Sequence, residues 1–219
     1  MKITLIILFH MFILQGCVST SFQSYETLKN NKKSISSSRV VKYRISDNFY
    51  RDPPQCIIIL PTKGAVTNVV KQQIAITASR HLSGYVNRTI GTLERQSIEH
   101  NLVLDATNLN DRKLLSRKTR CDYYIQVTAE SYNDTYAVIW AQKSIGLKLT
   151  LHGADKSNIL WTAYHQANRS DGGIPLSPIS LGMAIFNAGK TASDNEILPS
   201  ILDDIFRRIY RTLPDTRIY

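Results

Sequence analysis

The chain has 219 residues, of which 43% are hydrophobic and 20% are charged. This composition is that of a globular protein of about one domain, and it excludes a disordered chain. Three cysteines are too few for a small protein built on a disulfide framework. The net charge of +10 permits anionic partners such as nucleic acid, lipid head groups or acidic glycans, but it selects none of them.

An apolar segment follows the first charged residue of the chain. Residues 3–14 are apolar except for Thr4 and His10. As a helix this segment would span roughly 18 Å, well short of the ~30 Å hydrocarbon core of a bilayer. It has the length of the hydrophobic region of a secretory signal peptide. We therefore predict a signal peptide over residues 1–16.

The four residues Leu14, Gln15, Gly16 and Cys17 resemble the lipobox of bacterial lipoproteins. The resemblance implies that the leader is cut before Cys17, that the thiol is diacylated, and that the new amine takes a further chain such as palmitate. Two or more acyl chains make a durable membrane anchor. Val18 stands where an aspartate retains many such proteins in the inner membrane, so the resemblance implies an outer-membrane lipoprotein facing the periplasm. The alternatives are a plain secretory signal or a chance cysteine.

The next segment is rich in serine, asparagine and lysine. We predict that residues 17–39 are a lipidated cysteine followed by a flexible tether, and that residues 40–219 are a single periplasmic domain. As a coil the tether would span roughly 26 Å. The basic pair Lys32 and Lys33 is expected either near anionic head groups or simply in solvent.

The first half of the predicted domain alternates strands with helices. Residues 56–60 form a continuous β-branched run, which is typical of a strand buried on both faces. An apolar stripe predicts a helix over 66–85, and a short strand is expected at 89–93. Two further helices are predicted at 94–104 and 111–118, the second capped by Asn108 or Asn110.

The second half reads as a meander and a final helix. A strong strand is predicted at 122–130, and a turn at Asn133 and Asp134. The remaining elements are strands at 136–142, 145–152 and 159–164 and an amphipathic helix at 198–213. Crossover connections favour parallel pairing and tight connections favour antiparallel pairing. The sequence therefore predicts an α/β fold with a mixed sheet flanked by helices.

Several short runs resemble a known family. The sequences Ile-Ile-Ile-Leu-Pro at 57–61, Leu-Glu-Arg at 93–95 and Cys-Asp-Tyr-Tyr-Ile at 121–125 resemble the periplasmic domain of the curli-secretion-channel lipoproteins. Residues 136–164 resemble a group of Neisseria-type outer-membrane lipoproteins whose core is shared with the N-terminal domain of TolB. The resemblance implies an assembly, secretion or transport accessory that contacts envelope proteins or associates with itself and carries no catalysis.

The same resemblance bears on the two remaining cysteines. In the resembled fold the first and third strands are parallel neighbours, so Cys56 and Cys121 would stand side by side at the two strand starts. Neighbouring strands lie ~4.8 Å apart, and a disulfide needs Cα atoms about 4.4–6.8 Å apart. The oxidising periplasm favours the bond. Because the register decides whether both thiols share a face, two buried free thiols or exposed thiols are the alternatives.

The residue pattern predicts no catalytic chemistry. The histidines stand apart from one another, without the spacing of a metal site, and are interpreted as surface or groove residues. Asp203 and Asp204 are neighbours on a helix, where side chains diverge by ~100°, so they are interpreted as a solvated face. We expect no enzyme activity, no cofactor and no metal.

Three features leave alternatives open. Basic residues cluster within 29–44 and 112–120, where we expect solvated faces or contacts with membrane phosphates rather than nucleic acid, because the protein is predicted to be exported. The apolar segment 173–190 is either a flap that docks on a partner or a loop into a buried helix.

The alternative to an accessory function is a periplasmic binding module for an envelope glycan or lipid.

Overall fold

The computed structural model describes residues 20–24, 40–137, 140–153, 158–172 and 196–217. Cys17 and the apolar segment 173–190 lie outside the described residues. The lipidation of Cys17 and both interpretations of the apolar segment therefore stay predictions.

One sheet runs through the described part of the chain, with the strand order β1-β2-β8-β7-β6-β3-β5 and β4 beside β6. Its strands are β1 (Ser21–Ser24), β2 (Val40–Ile45), β3 (Cys56–Ile59), β4 (Lys63–Gly64), β5 (Arg88–Ile90), β6 (Tyr123–Ala137), β7 (Trp140–His152) and β8 (Ile159–Gly172). The parallel pairs are β3 with β5, β3 with β6, β4 with β6, and β1 with β2. Strands β6, β7 and β8 form an antiparallel meander, and β2 pairs antiparallel with β8. The predicted α/β fold with a mixed sheet is confirmed.

Five helices lie among the described residues. They are α1 (Asp47–Arg51), α2 (Asn68–Leu82), α3 (Thr92–Leu102), α4 (Leu109–Thr119) and α5 (Ile197–Tyr210). Side-chain caps fix where three of them begin: Ser46 accepts from the backbone N–H of Asn48, Thr67 from that of Val70, and Asn108 from that of Asn110. Such caps satisfy amide groups that have no partner inside the helix. No helix in this part of the chain combines the length and the apolar character needed to cross a membrane.

Helices cover both faces of the parallel strands. Helices α2 and α5 pack on one face, where Ile74 and Phe206 meet Ile57 in the larger core cluster. On the other face Leu115 of α4 packs against Ile58 in a second cluster. Strand β3 is therefore buried on both sides, as its unbroken apolar run predicted.

The meander strands are longer than predicted, and the predicted turn at Asn133 and Asp134 is wrong. Both residues lie inside β6, opposite Ser144 and Lys143 of β7. They are exposed, so a strand can carry these turn-forming residues there without burying a polar group. The chain reverses instead beyond the pair Ala137 and Trp140. The strands predicted at 136–142 and 145–152 fall within the hairpin of β6 and β7.

Part of the predicted tether is a strand. Residues Ser21–Ser24 pair in parallel with β2, and Ser21 stands opposite Val40. The expected coil therefore does not extend over these four residues. The sequence gives little local signal for this strand, because it is short, half-polar and stabilised by its pairing with β2.

Candidate functional site

A polar cleft of about 420 Å³ opens at the end of the sheet where β3 and β6 begin. Three sections of the chain line it: α1 with the residue after it, the first residue of β6 with the residue before it, and three residues near the end of β7 and the start of β8. The lining residues are Asn48, Arg51, Asp52, Asp122, Tyr123, Gly153, Asn158 and Leu160.

Helix α1 positions one wall of the cleft. Ser46 caps the helix by accepting from the backbone N–H of Asn48, and the buried ring of Phe49 fixes the helix against the core. This leaves Asn48 and Arg51 along the cleft wall. The Asn48 amide donates to the side-chain oxygen of Asn158 at 3.3 Å, which joins α1 to the residue preceding β8.

Two carboxylates in the cleft accept hydrogen bonds from hydroxyl groups. The Tyr123 hydroxyl donates to the carboxylate of Asp52, and the Ser116 hydroxyl donates to that of Asp122. Burial raises the pKa of Tyr123, and the hydrogen bond and negative charge of Asp52 raise it further. Tyr123 therefore stays protonated and remains a donor at neutral pH. The cleft presents amide, carboxylate, guanidinium and phenol groups, which suit a ligand with many hydroxyl groups.

A disulfide lies beside the cleft. The structure joins Cys56 to Cys121, with their Cα atoms 5.2 Å apart. The register explains the proximity, because Ile57 stands opposite Tyr123 at the start of the parallel pair β3 and β6. The bond ties the start of β3 to the residue just before Asp122, and so holds one wall of the cleft to the sheet.

The acidic pair on α5 is engaged in ion pairs. Asp203 accepts from Arg80 at 3.0 Å and lies 2.8 Å from Nε2 of His81, which links α5 to α2. Asp204 pairs with Arg207 at 2.6 Å and Arg208 at 2.8 Å. Burial raises the pKa of Asp204, but the hydrogen bonds from Arg208 and Arg207 outweigh it and the net shift is downward. The two carboxylates therefore lie on a partly solvated face, and ion pairs hold them in place.

His165 is fully buried, so its interpretation as a surface or groove residue is wrong. Strand alternation places it on the face of β8 that also carries Trp161 and Ala163. Its Nδ1 lies 3.0 Å from the carbonyl oxygen of Val40, and its Nε2 has no hydrogen-bond partner among the described residues. Burial is the main cause that lowers the pKa of His165, so the ring is neutral and Nδ1–H donates to Val40.

One arginine of the basic cluster at 112–120 lies in the protein interior. Arg112 is buried and donates to the backbone carbonyls of Ala106 and Thr107. It therefore holds the loop before α4 and is not part of a solvated or anion-binding face. Within the described ranges, no group of three or more histidine, cysteine or acidic residues is arranged to hold a metal ion.

No protein-family model matches the sequence, and no curated protein matches it either. Solved structures similar to this chain include a PelC dodecamer from Paraburkholderia phytofirmans, with a TM-score of 0.45, 10% identity, and coverage of 78% of this chain and 93% of that one. Lipoprotein GNA1162 from Neisseria meningitidis has a TM-score of 0.42 and 15% identity, with coverage of 63% of this chain and 97% of that one. A minor lipoprotein from Acinetobacter baumannii has a TM-score of 0.32 and 10% identity, with coverage of 74% of this chain and 92% of that one. The predicted resemblance to the curli-channel lipoproteins and to TolB stays a prediction.

Proposed function

We propose that the protein is a lipid-anchored envelope lipoprotein, held at the outer membrane with its domain in the periplasm, that works by contacts as an assembly, secretion or transport accessory without catalysis. One observation carries the proposal: the lipobox-like motif ends at Cys17, and only three residues separate this cysteine from Ser21, where β1 begins.

The short connection gives the anchor a structural consequence. Cys17 precedes Ser21 by four positions, which span at most about 14 Å when fully extended. The guanidinium of Arg208 donates to Thr20 at 2.6 Å, so the residue just before β1 is held to α5. A lipid on Cys17 would therefore keep this edge of the sheet next to the membrane, which suits a protein that acts on partners at the membrane surface.

Metabolic labelling tests the anchor. In a Gram-negative host fed labelled palmitate, the wild-type protein is expected to carry the label and to sediment with outer membranes. Cys17→Ala is expected to lose both properties, because the acceptor thiol is gone. A matched control moves the thiol by two positions: Ser19→Cys in the Cys17→Ala background should not regain the label. Palmitate on Cys17→Ala would contradict the proposal.

The cleft favours a second candidate function, a periplasmic binding module for an envelope glycan. Its amide, carboxylate and guanidinium groups match the hydroxyl groups of a sugar, and the Tyr123 ring adds an apolar surface. Calorimetric titration with lipopolysaccharide core oligosaccharide tests it. Asn158→Ala should weaken binding, whereas Asn101→Ala, exposed on α3, should leave it unchanged. Absence of binding heat with the wild-type protein would contradict this candidate.

A further inference from the structure

The strand pairing places the start of β1 and the end of the β6–β7 hairpin at the same end of the sheet. Ser21 stands opposite Val40. Strand β2 pairs antiparallel with β8, and Lys42 stands opposite Tyr164. Two residues further along the same register, Val40 is level with Gln166. Gln166 faces Gly146, which in turn faces Ser131. The hairpin therefore extends beyond the end of the sheet at which β1 begins.

Strands β6, β7 and β8 continue beyond the level of Ser21, where β1 and β2 no longer lie beside them. We call this extension the β-arm and define it as residues 131–137 of β6, 140–146 of β7 and 166–172 of β8. Each strand runs six residues further, to the pairs Ala137 with Trp140 and Trp140 with Gly172. At ~3.3 Å per residue the β-arm extends roughly 20 Å, whereas Cys17 reaches at most ~14 Å from Ser21.

The residue types at the end of the β-arm are those found at membrane surfaces. The last two pairs of the β6–β7 hairpin are Tyr136 with Ala141 and Ala137 with Trp140, and all four residues are uncharged. Tyrosine and tryptophan concentrate at the boundary between head groups and hydrocarbon. On the third strand the corresponding residues are Asp171 and Gly172, so a charge remains on one side, as in an interfacial rather than a spanning segment.

We propose that the end of the β-arm is a second membrane contact, which places Trp140 in the head-group region of the leaflet that holds the lipid on Cys17. The inference rests on the lipid anchor proposed above. Because the β-arm reaches about 6 Å further than Cys17 can, a membrane surface at the acylated cysteine meets the hairpin end first. That excess matches the ~5–10 Å depth to which interfacial segments enter a bilayer.

The two tryptophans of the chain allow a direct test. Trp161 is fully buried and donates to Thr212 at 3.1 Å, so Trp161→Phe leaves Trp140 as the sole emitter. The acylated protein is reconstituted into phosphatidylethanolamine–phosphatidylglycerol vesicles that contain lipids brominated near the head group. On reconstitution, the fluorescence of Trp140 is expected to shift to shorter wavelength and to be quenched by the brominated lipids. If Trp161→Phe does not fold, the difference between wild type and Trp140→Phe gives the same quantity.

A matched control moves the emitter to the opposite end of the sheet. Tyr50 lies on α1 and is 57% exposed. Tyr50→Trp in the double Trp140→Phe, Trp161→Phe background should not be quenched. Protein that fails to sediment with the vesicles contradicts the anchor itself. Sedimenting protein whose Trp140 stays unquenched overturns the membrane contact. A blue shift that appears without lipid and grows with protein concentration assigns the β-arm to contacts between copies and also overturns it.

Discussion

His165 combines complete burial with a single hydrogen bond, and this determines its response to pH. Desolvation is the largest cause that lowers its pKa, and the positive charge of Arg208 lowers it further, while the Val40 carbonyl and Asp204 oppose the shift. The unfolded chain therefore binds this proton more tightly than the folded one. The contribution of His165 to stability is complete above about pH 6.5 and is lost as the pH falls below that value.

We predict that His165→Asn removes this pH dependence. Asparagine can place its amide near the position of Nδ1 and retain the bond to Val40, but it does not titrate. Between pH 7 and 5 the wild-type free energy of unfolding should fall by up to ~1.4 kcal/mol per pH unit more than that of the variant. Urea titrations at several pH values measure the slope. The exposed His100→Asn should keep the wild-type slope, and equal slopes in wild type and His165→Asn would refute the assignment.

Gly64 is held in a backbone conformation that side chains disfavour. Its φ is +123°, and a Cβ there would stand 2.4 Å from the carbonyl oxygen of Ala129. We predict that Gly64→Ala lowers the free energy of unfolding by at least roughly 1–3 kcal/mol, because the contact is with backbone that cannot move aside. At Gly84 the nearest atom is 3.4 Å away, so Gly84→Ala is the matched control and should change little. Similar denaturation midpoints for the two variants would contradict this.

Among the secondary-structure elements, the disulfide links the start of β3 to Cys121, two residues before β6. It joins residues 65 positions apart, for which the chain-entropy model gives a stabilisation of roughly 4 kcal/mol. We predict that a reductant lowers the free energy of unfolding by an amount of this order. The double variant Cys56→Ser, Cys121→Ser should be insensitive to reductant. Non-reducing mass spectrometry that finds both cysteines freely alkylated would contradict the bond.

The elements that the sequence predicts well are those whose burial leaves a periodic pattern. The apolar stripes of α2 and α5 and the apolar run of β3 identify these elements in the sequence. These patterns arise because each element packs against the hydrophobic core. Strand β6 is different beyond Ser131, since Asn133 and Asp134 favour a turn locally and are held extended by their pairing with β7. Pairing between strands depends on partners elsewhere in the chain, which local residue preferences do not reveal.

The cleft is assembled from distant parts of the chain. Asn48 and Asn158, which are hydrogen-bonded across it, are 110 positions apart. Neither residue belongs to a recognisable motif, so no sequence pattern could have indicated this site. The cysteine pair was accessible from the sequence only because a resemblance supplied the strand order. Burial of His165 and Arg112 likewise follows from packing, since arginine is mostly exposed in proteins and histidine is intermediate.

The intact mass of the protein purified from membranes tests whether lipid on Cys17 anchors it. We expect a chain that begins at Cys17 and carries a diacylglycerol on the thiol and an acyl chain on the amine. Tandem fragmentation should place both modifications on that residue. A membrane-derived chain with an unmodified Cys17, or one cut at another position, would show that lipid on Cys17 is not the anchor.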